Sequence, residues 1–203
     1  MLLKQKIWLF IIVFIGLTAC KSDTETIETT NEFGRKIRYE RKKTDFAKHG
    51  KYQSFGENGV LTEETYYEND TLHGSRKYFY PNGKVESEEQ FVHGLHHGPY
   101  RKYFESGRLE IQQEFINDAM EGMSIRYYPN GQKMEEVMIV HNDENGPFKE
   151  YYDTGILKTE GNYIFIDDTA AEQGELKEYD STGVLVRIAD CEAGVCRTRW
   201  RKE

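Results

Sequence analysis

Beyond its first twenty residues the chain has no stretch approaching eighteen consecutive apolar residues. Its apolar positions recur instead in fixed columns. Set in step on Gly50, Gly74, Gly98, Gly122, Gly146 and Gly174, the sequence shows a second glycine nine residues later in every unit: Gly59, Gly83, Gly107, Gly131, Gly155 and Gly183. Five residues after the opening glycine stands an aromatic: Phe55, Phe79, Tyr103, Tyr127, Tyr151 and Tyr179. Eight after the second glycine stand Tyr67, Phe91, Phe115, Ile139, Tyr163 and Cys191. The period is 24 residues four times and 28 once. Such self-similarity is the signature of a repeat architecture, in which each unit buries its apolar face only against its neighbours.

Each unit reads as a β-hairpin. The turns are "ENG", "PNG", "ESG", "PNG", "DTG" and "STG". Proline suits the second position of a type I turn, Asn the third, and glycine the left-handed residue that follows. A three-residue loop then fixes the register. Phe79 should face Val85, Tyr103 should face Leu109, and Tyr151 should face Leu157. The same register sets Arg76 opposite Glu88, Lys102 opposite Glu110 and Glu150 opposite Lys158, each pair worth a few tenths of a kcal/mol. One face should carry the aromatic column, its partners Leu61, Val85, Leu109, Leu157 and Leu185, and the row ending each second strand. Lys133 interrupts that row, so looser packing is expected in the fourth unit. The predicted fold is all-β: an elongated, single-layer antiparallel array of stacked hairpins over residues 33–198. Residues 33–50 read as an extra half unit, and 199–203 as a short tail.

The pattern of glycine, an aromatic pair, an Asn-Gly turn, then Leu and Glu before another aromatic resembles the MORN-repeat variant family of bacteria, over about residues 33–198. Members are often labelled antitoxin-like, and many are lipoproteins. The resemblance implies a repeat array without a catalytic motif.

The N-terminus supplies an address. Lys4 and Lys6 precede an apolar run, Ile7 to Ile15, too short to span a bilayer. It suits the core of a secretory signal. Leu17-Thr18-Ala19-Cys20 looks like a bacterial lipobox. Residues 1–19 are therefore expected to be removed and Cys20 to carry the lipid, with several acyl chains holding firmly where one would not. The expected location is a bacterial envelope, most simply the outer membrane. Residues 20–32, with "KSDTETIETTNE" after Cys20, carry one apolar side chain and read as a flexible acidic tether. Removing the two lysines takes 27 basic residues to 25 against 35 acidic ones, a net charge near −10. That balance disfavours nucleic acid as a partner. Cys191 and Cys196 remain, and an oxidising compartment favours a disulfide between them; a metal site would want a second cysteine pair.

Candidate chemistry is sparse. His93, His96 and His97, with His49 and His73, could suit a metal, but they read as residues that simply precede turn glycines, as Glu121 and Asn145 do in later units, and no metal is expected. Glu64, Glu88, Glu136 and Glu160 form a ladder in similar surroundings, which reads as a solvated face and not a catalytic pair. Asp167 and Asp168 lie in what reads as a long loop of the fifth unit. No nucleophile motif or phosphate-binding glycine loop occurs, so neither catalysis nor a cofactor is expected. A second aromatic column, Tyr80, Phe104, Tyr128 and Tyr152, should face away from the first. It reads either as packing or as a regularly spaced strip for a protein or glycan partner. A non-catalytic interaction module, an antitoxin-like neutraliser and a structural spacer are the functions open to such a chain. The address makes a direct prediction: Cys20→Ser should abolish lipidation and leave the protein unprocessed or soluble. Membrane fractionation with mass analysis checks it, and a processed, membrane-bound variant would contradict the lipobox.

Overall fold

The computed structural model describes residues 22–203, and among them there is no helix. Eighteen strands form one antiparallel sheet. They are β1 (Thr24–Thr30), β2 (Lys36–Lys42), β3 (Lys48–Phe55), β4 (Leu61–Glu68), β5 (Thr71–Phe79), β6 (Val85–Val92), β7 (Leu95–His96), β8 (Gly98–Tyr103) and β9 (Leu109–Ile116). Then follow β10 (Ala119–Met120), β11 (Gly122–Tyr127), β12 (Lys133–Val140), β13 (Asp143–Tyr151), β14 (Leu157–Ile166), β15 (Thr169–Glu172), β16 (Gly174–Tyr179), β17 (Leu185–Glu192) and β18 (Val195–Arg201). Pairing runs between sequence neighbours, with β7, β10 and β15 as short lead-ins to β8, β11 and β16. This is the single-layer meander the repeat predicts.

The glycine turns follow the expected chemistry. In each of seven, the glycine N–H donates to the carbonyl three residues back, as Gly83 does to Tyr80 at 2.8 Å. The residue three before the glycine donates in turn to the carbonyl just after it, as Tyr80 does to Lys84 at 2.8 Å. Gly83 takes φ 81°, the left-handed value the loop requires. At the other edge, two-residue loops join the units. Asn69 and Asp70 (φ 52° and 62°), or His93 and Gly94 (51° and 85°), are both left-handed, as the tightest hairpin loops need. The opening glycines answer a second constraint: a Cβ on Gly146 would lie 3.0 Å from the Met138 side chain of the preceding unit.

The register holds at the turn and then departs from expectation. Phe79 faces Val85, Tyr103 faces Leu109 and Tyr151 faces Leu157. One residue further on, Tyr78 faces Ser87, so Glu86 is left over as a bulge. Glu110 and Lys158 are left over in the same way. The expected charge pairs are therefore not opposite one another: Arg76 faces Glu89, Lys102 faces Ile111 and Glu150 faces Thr159. Two survive as diagonal ion pairs, Lys102–Glu110 at 3.1 Å and Lys158–Glu150 at 2.9 Å. Arg76 turns instead to Glu63 on the preceding strand, at 3.0 Å.

The bulge also redistributes the core. A one-residue slip moves every later side chain to the other face. The row ending each second strand thus lies opposite the first aromatic column, not beside it. It packs with residues two after the opening glycine: Tyr52 with Tyr67 (5.9 Å between ring centres), Tyr100 with Phe115 (6.2 Å), and Phe148 stacked on Tyr163 (4.1 Å). Deepest burial falls on this face, at Val137, Ile139, Phe148, Leu176, Ala189 and Cys191, with Met120, Tyr163 and Cys196 against them. The fourth unit is accordingly not loose. Lys133 sits on the other face, where its ammonium pairs with Glu136, while Val137 behind it is 4% exposed. Toward the N-terminus the same buried face turns polar, with Ser54, Thr65 and Ser87 inside.

The ends also differ from the sequence reading. Residues 24–30, read as tether, form β1 and pair with β2 from Thr24–Lys42 to Thr30–Lys36. "TETIETT" is too polar to build a core of its own, but its β-branched residues suit a strand, and β2 offers the edge. Glu25 and Glu28 meet Arg41 and Arg38 at 2.8 and 2.7 Å. The half unit is thus a whole hairpin, closed by the turn Asn31–Gly34. β18 likewise runs into the tail, to Arg201. Cys191 and Cys196 face each other across β17 and β18 and are bonded, as expected. The extra four residues of the fifth unit are not a long loop. They lengthen both arms of its hairpin, and Asp167-Asp168 is the two-residue turn.

Two substitutions test this packing. Phe148→Ala, at a site 3% exposed, should cost about 3–5 kcal/mol and lower the melting temperature. Thr65→Val removes a buried hydroxyl that has no partner among the described residues, and should be neutral or stabilise by up to about 1 kcal/mol. Denaturant unfolding of both variants checks the pair.

Candidate functional site

The second aromatic column lies across the glycine turns, and its rings are half-buried. The Tyr80 hydroxyl donates to the carbonyl of Tyr103 at 2.7 Å, Tyr128 to that of Tyr151 at 2.9 Å, and Tyr152 to that of Tyr179 at 2.9 Å. Each ring thus latches its own turn to the next. Phe104 fills the same place without the bond. Neighbouring turn residues reinforce the latch: the Asn82 and Asn130 amides donate to Glu105 and Asp153 carbonyls at 3.2 and 2.6 Å. Lys84 and Arg108 reach Ser106 and Pro129 carbonyls at 2.6 and 2.8 Å.

The opposite row of turns is stitched by a column the sequence reading passed over. Asp70 donates its amide to the Lys48 carbonyl at 2.9 Å and accepts the Lys48 amide on its carboxylate at 2.9 Å. Asp118 does the same with His96, and Asn142 with Met120. The signal was present in the 24-residue spacing of 70, 94, 118 and 142. It was hidden because Gly94 has no side chain to complete the pattern.

The glutamate ladder is paired rather than simply solvated. Lys51, Lys77 and Lys149 approach Glu64, Glu88 and Glu160 at 3.2, 3.5 and 3.9 Å. The Tyr151 hydroxyl donates to Glu136 at 2.6 Å, and Tyr179 to Glu160 at 2.9 Å. Burial and then that bond push Tyr151 up to about 12. Burial also pushes Glu136 up, but hydrogen bonds from Lys133 and Tyr151 outweigh it and hold the carboxyl below its usual range. The raised tyrosine favours the folded state below the ordinary value near 10. That contribution fades as pH climbs toward 12.

His49 keeps its Nδ1 buried with no hydrogen-bond partner among the described residues, and the other candidate histidines are dispersed among ordinary partners. His73 packs on His93 (5.1 Å between ring centres), and His96 lies between Phe91 and Phe115 with Glu89 at 3.1 Å. His97 meets Asn117 at 3.2 Å. Cys20 lies outside the described residues. Among the apolar residues open to solvent is a third column, also missed: Val92, Ile116, Val140 and Ile164, all exposed and 24 residues apart. They follow the row ending each second strand by one residue and so stand on the opposite face, the first three beside the two-residue turns and Ile164 two residues short of its own. Leu95 pairs across from Val92 and is exposed beside it.

With latches, stitched turns and a paired sheet in view, the repeat defines its class. The MORN repeat variant model matches residues 48–69, 72–93, 97–117, 120–141 and 144–164. These five segments cover just over half of the chain, and the chain belongs to that family. The hairpin at 24–42 and the sixth unit lie outside the matched segments. No curated protein matches the chain.

The latch is directly testable. Tyr128→Phe keeps the ring and loses one hydrogen bond, and should cost about 1 kcal/mol. Tyr128→Ala removes the ring as well and should cost clearly more. Melting curves that place both variants at the parental value would remove the latch from the account.

Proposed function

We propose that this chain is a lipid-anchored protein of the bacterial envelope, attached through Cys20, whose repeat sheet is a non-catalytic module for binding a partner protein. The lipobox at 17–20 supports the anchor, and the acidic net charge turns the module away from nucleic acid. One observation carries the reading: the apolar column of Val92, Ile116, Val140 and Ile164, with Ile116 49% exposed. A spacer has no use for regularly placed apolar side chains in solvent, whereas an extended partner can meet one at each repeat. The rings of Tyr80, Phe104, Tyr128 and Tyr152 hold the glycine turns together at the opposite edge of the sheet.

Exposed-site substitutions separate binding from folding. Ile116→Asp with Val140→Asp should change stability by under about 1 kcal/mol and reduce capture of envelope proteins by the immobilised mature chain. Unchanged capture of the same proteins would move the binding surface elsewhere.

A further inference from the structure

From the third glycine turn to the seventh the molecule places a ring in each gap. The first two gaps have none. The residue three before Gly34 is Asn31, where later turns carry Tyr80, Phe104, Tyr128 and Tyr152. Its amide oxygen accepts the Phe33 and Arg35 N–H groups of its own turn, both at 3.0 Å, so nothing reaches toward the second turn. The second turn begins with Gly56, which offers no side chain either. The gap is a cleft of about 920 Å³, walled by Phe33, Arg35 and Lys36 on one side and by Gly56, Glu57 and Thr62 on the other.

Three features describe what would fill it. The intact gaps accept a phenol whose hydroxyl donates to the carbonyl four residues before the next turn glycine: Tyr103, Tyr151 and Tyr179. The corresponding carbonyl here belongs to Phe55. Phe33 stands at the tip of the first turn, 79% exposed, an apolar surface for a ring to lie against. Arg35 occupies the place of Lys84 and Arg108, but among the described residues its side chain makes no bond to the following turn, and no ion pair uses Arg35 or Lys36. Two cations outside any ion pair among the described residues, beside a cleft with room for more than one side chain, suit an anion next to an aromatic group.

We infer that this cleft binds a tyrosine side chain of a partner, flanked by an acidic residue, in the place of the missing latch. The ring lies between the two turns against Phe33, its hydroxyl donates to the Phe55 carbonyl, and the acid meets Arg35 and Lys36. The inference rests on the interaction-module reading and names one anchor that such a partner would carry.

The test is an amide NMR titration of the full mature chain with the acetylated, amidated tripeptide Asp-Tyr-Glu. Shifts should be confined to residues 31–36 and 54–62, and replacing the peptide tyrosine with alanine should abolish them. Arg35→Glu with Lys36→Glu should weaken binding at least tenfold while the melting temperature holds. Asn31→Tyr supplies the chain's own ring and should also weaken binding at least tenfold, with a melting temperature no lower than the parent's. Peptide binding unaffected by Asn31→Tyr, shifts centred elsewhere, or no binding would overturn the inference. Shifts that grow with protein concentration alone would make the occupant a second copy and overturn it as well. Capture of envelope proteins that still depends on Ile116 and Val140 would then leave the module reading standing.

Discussion

A bulge one residue beyond six of the seven glycine turns, all but the first, governs this sheet. Because Glu86 or Glu110 is inserted where a regular ladder would continue, the side chains before and after it change faces. The first aromatic of each hairpin and its Leu or Val partner go to one side. The row at the far end of the hairpin goes to the other, where it meets the residues two after the opening glycine. A sheet without a second layer needs something on both faces, and the bulge divides the apolar residues between them. One side becomes a row of tyrosines and paired glutamates. The other becomes the cluster from Val137 to Cys191.

The edges complete what the faces begin. Backbone pairing alone would leave a row of hairpins free to splay at their tips. Tyrosine hydroxyls tie one row of tips together, and Asp70, Asp118 and Asn142 tie the other. Where they occur, both sets of ties join a unit to its immediate neighbour, which keeps stability a matter of nearest-neighbour terms. The buried face is not uniform along the array. Ser54, Thr65 and Ser87 occupy it early, and Val137, Phe148 and Ala189 late, so cohesion rises toward the disulfide-closed end.

Much of this was legible in the sequence. Gly59 and Gly83 with their neighbours specify a loop that only a few residue types can make, and Phe79–Val85 follows directly. The bulge was not legible, because Glu88 and Glu89 are chemically interchangeable and either one offers Arg76 a partner on paper. β1 was missed for a related reason. "TETIETT" lacks the apolar content of a self-sufficient segment, and only a neighbouring edge makes it a strand. The aromatic column was found by its spacing, yet spacing cannot say whether Tyr128 points to a partner or to the carbonyl of Tyr151. The exposed column at Val92 and Ile116 was overlooked because it lies one residue beyond a row already assigned to the core.

The fifth hairpin shows how such an array can vary in shape. It is longer than the others by two residues in each arm, with Phe165 facing Ala170 and Ile166 facing Thr169 before the turn. An even increment leaves every side chain beyond it on its original face. An odd one would invert the register of inside and outside from that point to the turn. Parity therefore acts as a grammar for insertions. Whole hairpins extend the array along its axis, residue pairs widen it locally, and neither requires any other unit to be rewritten.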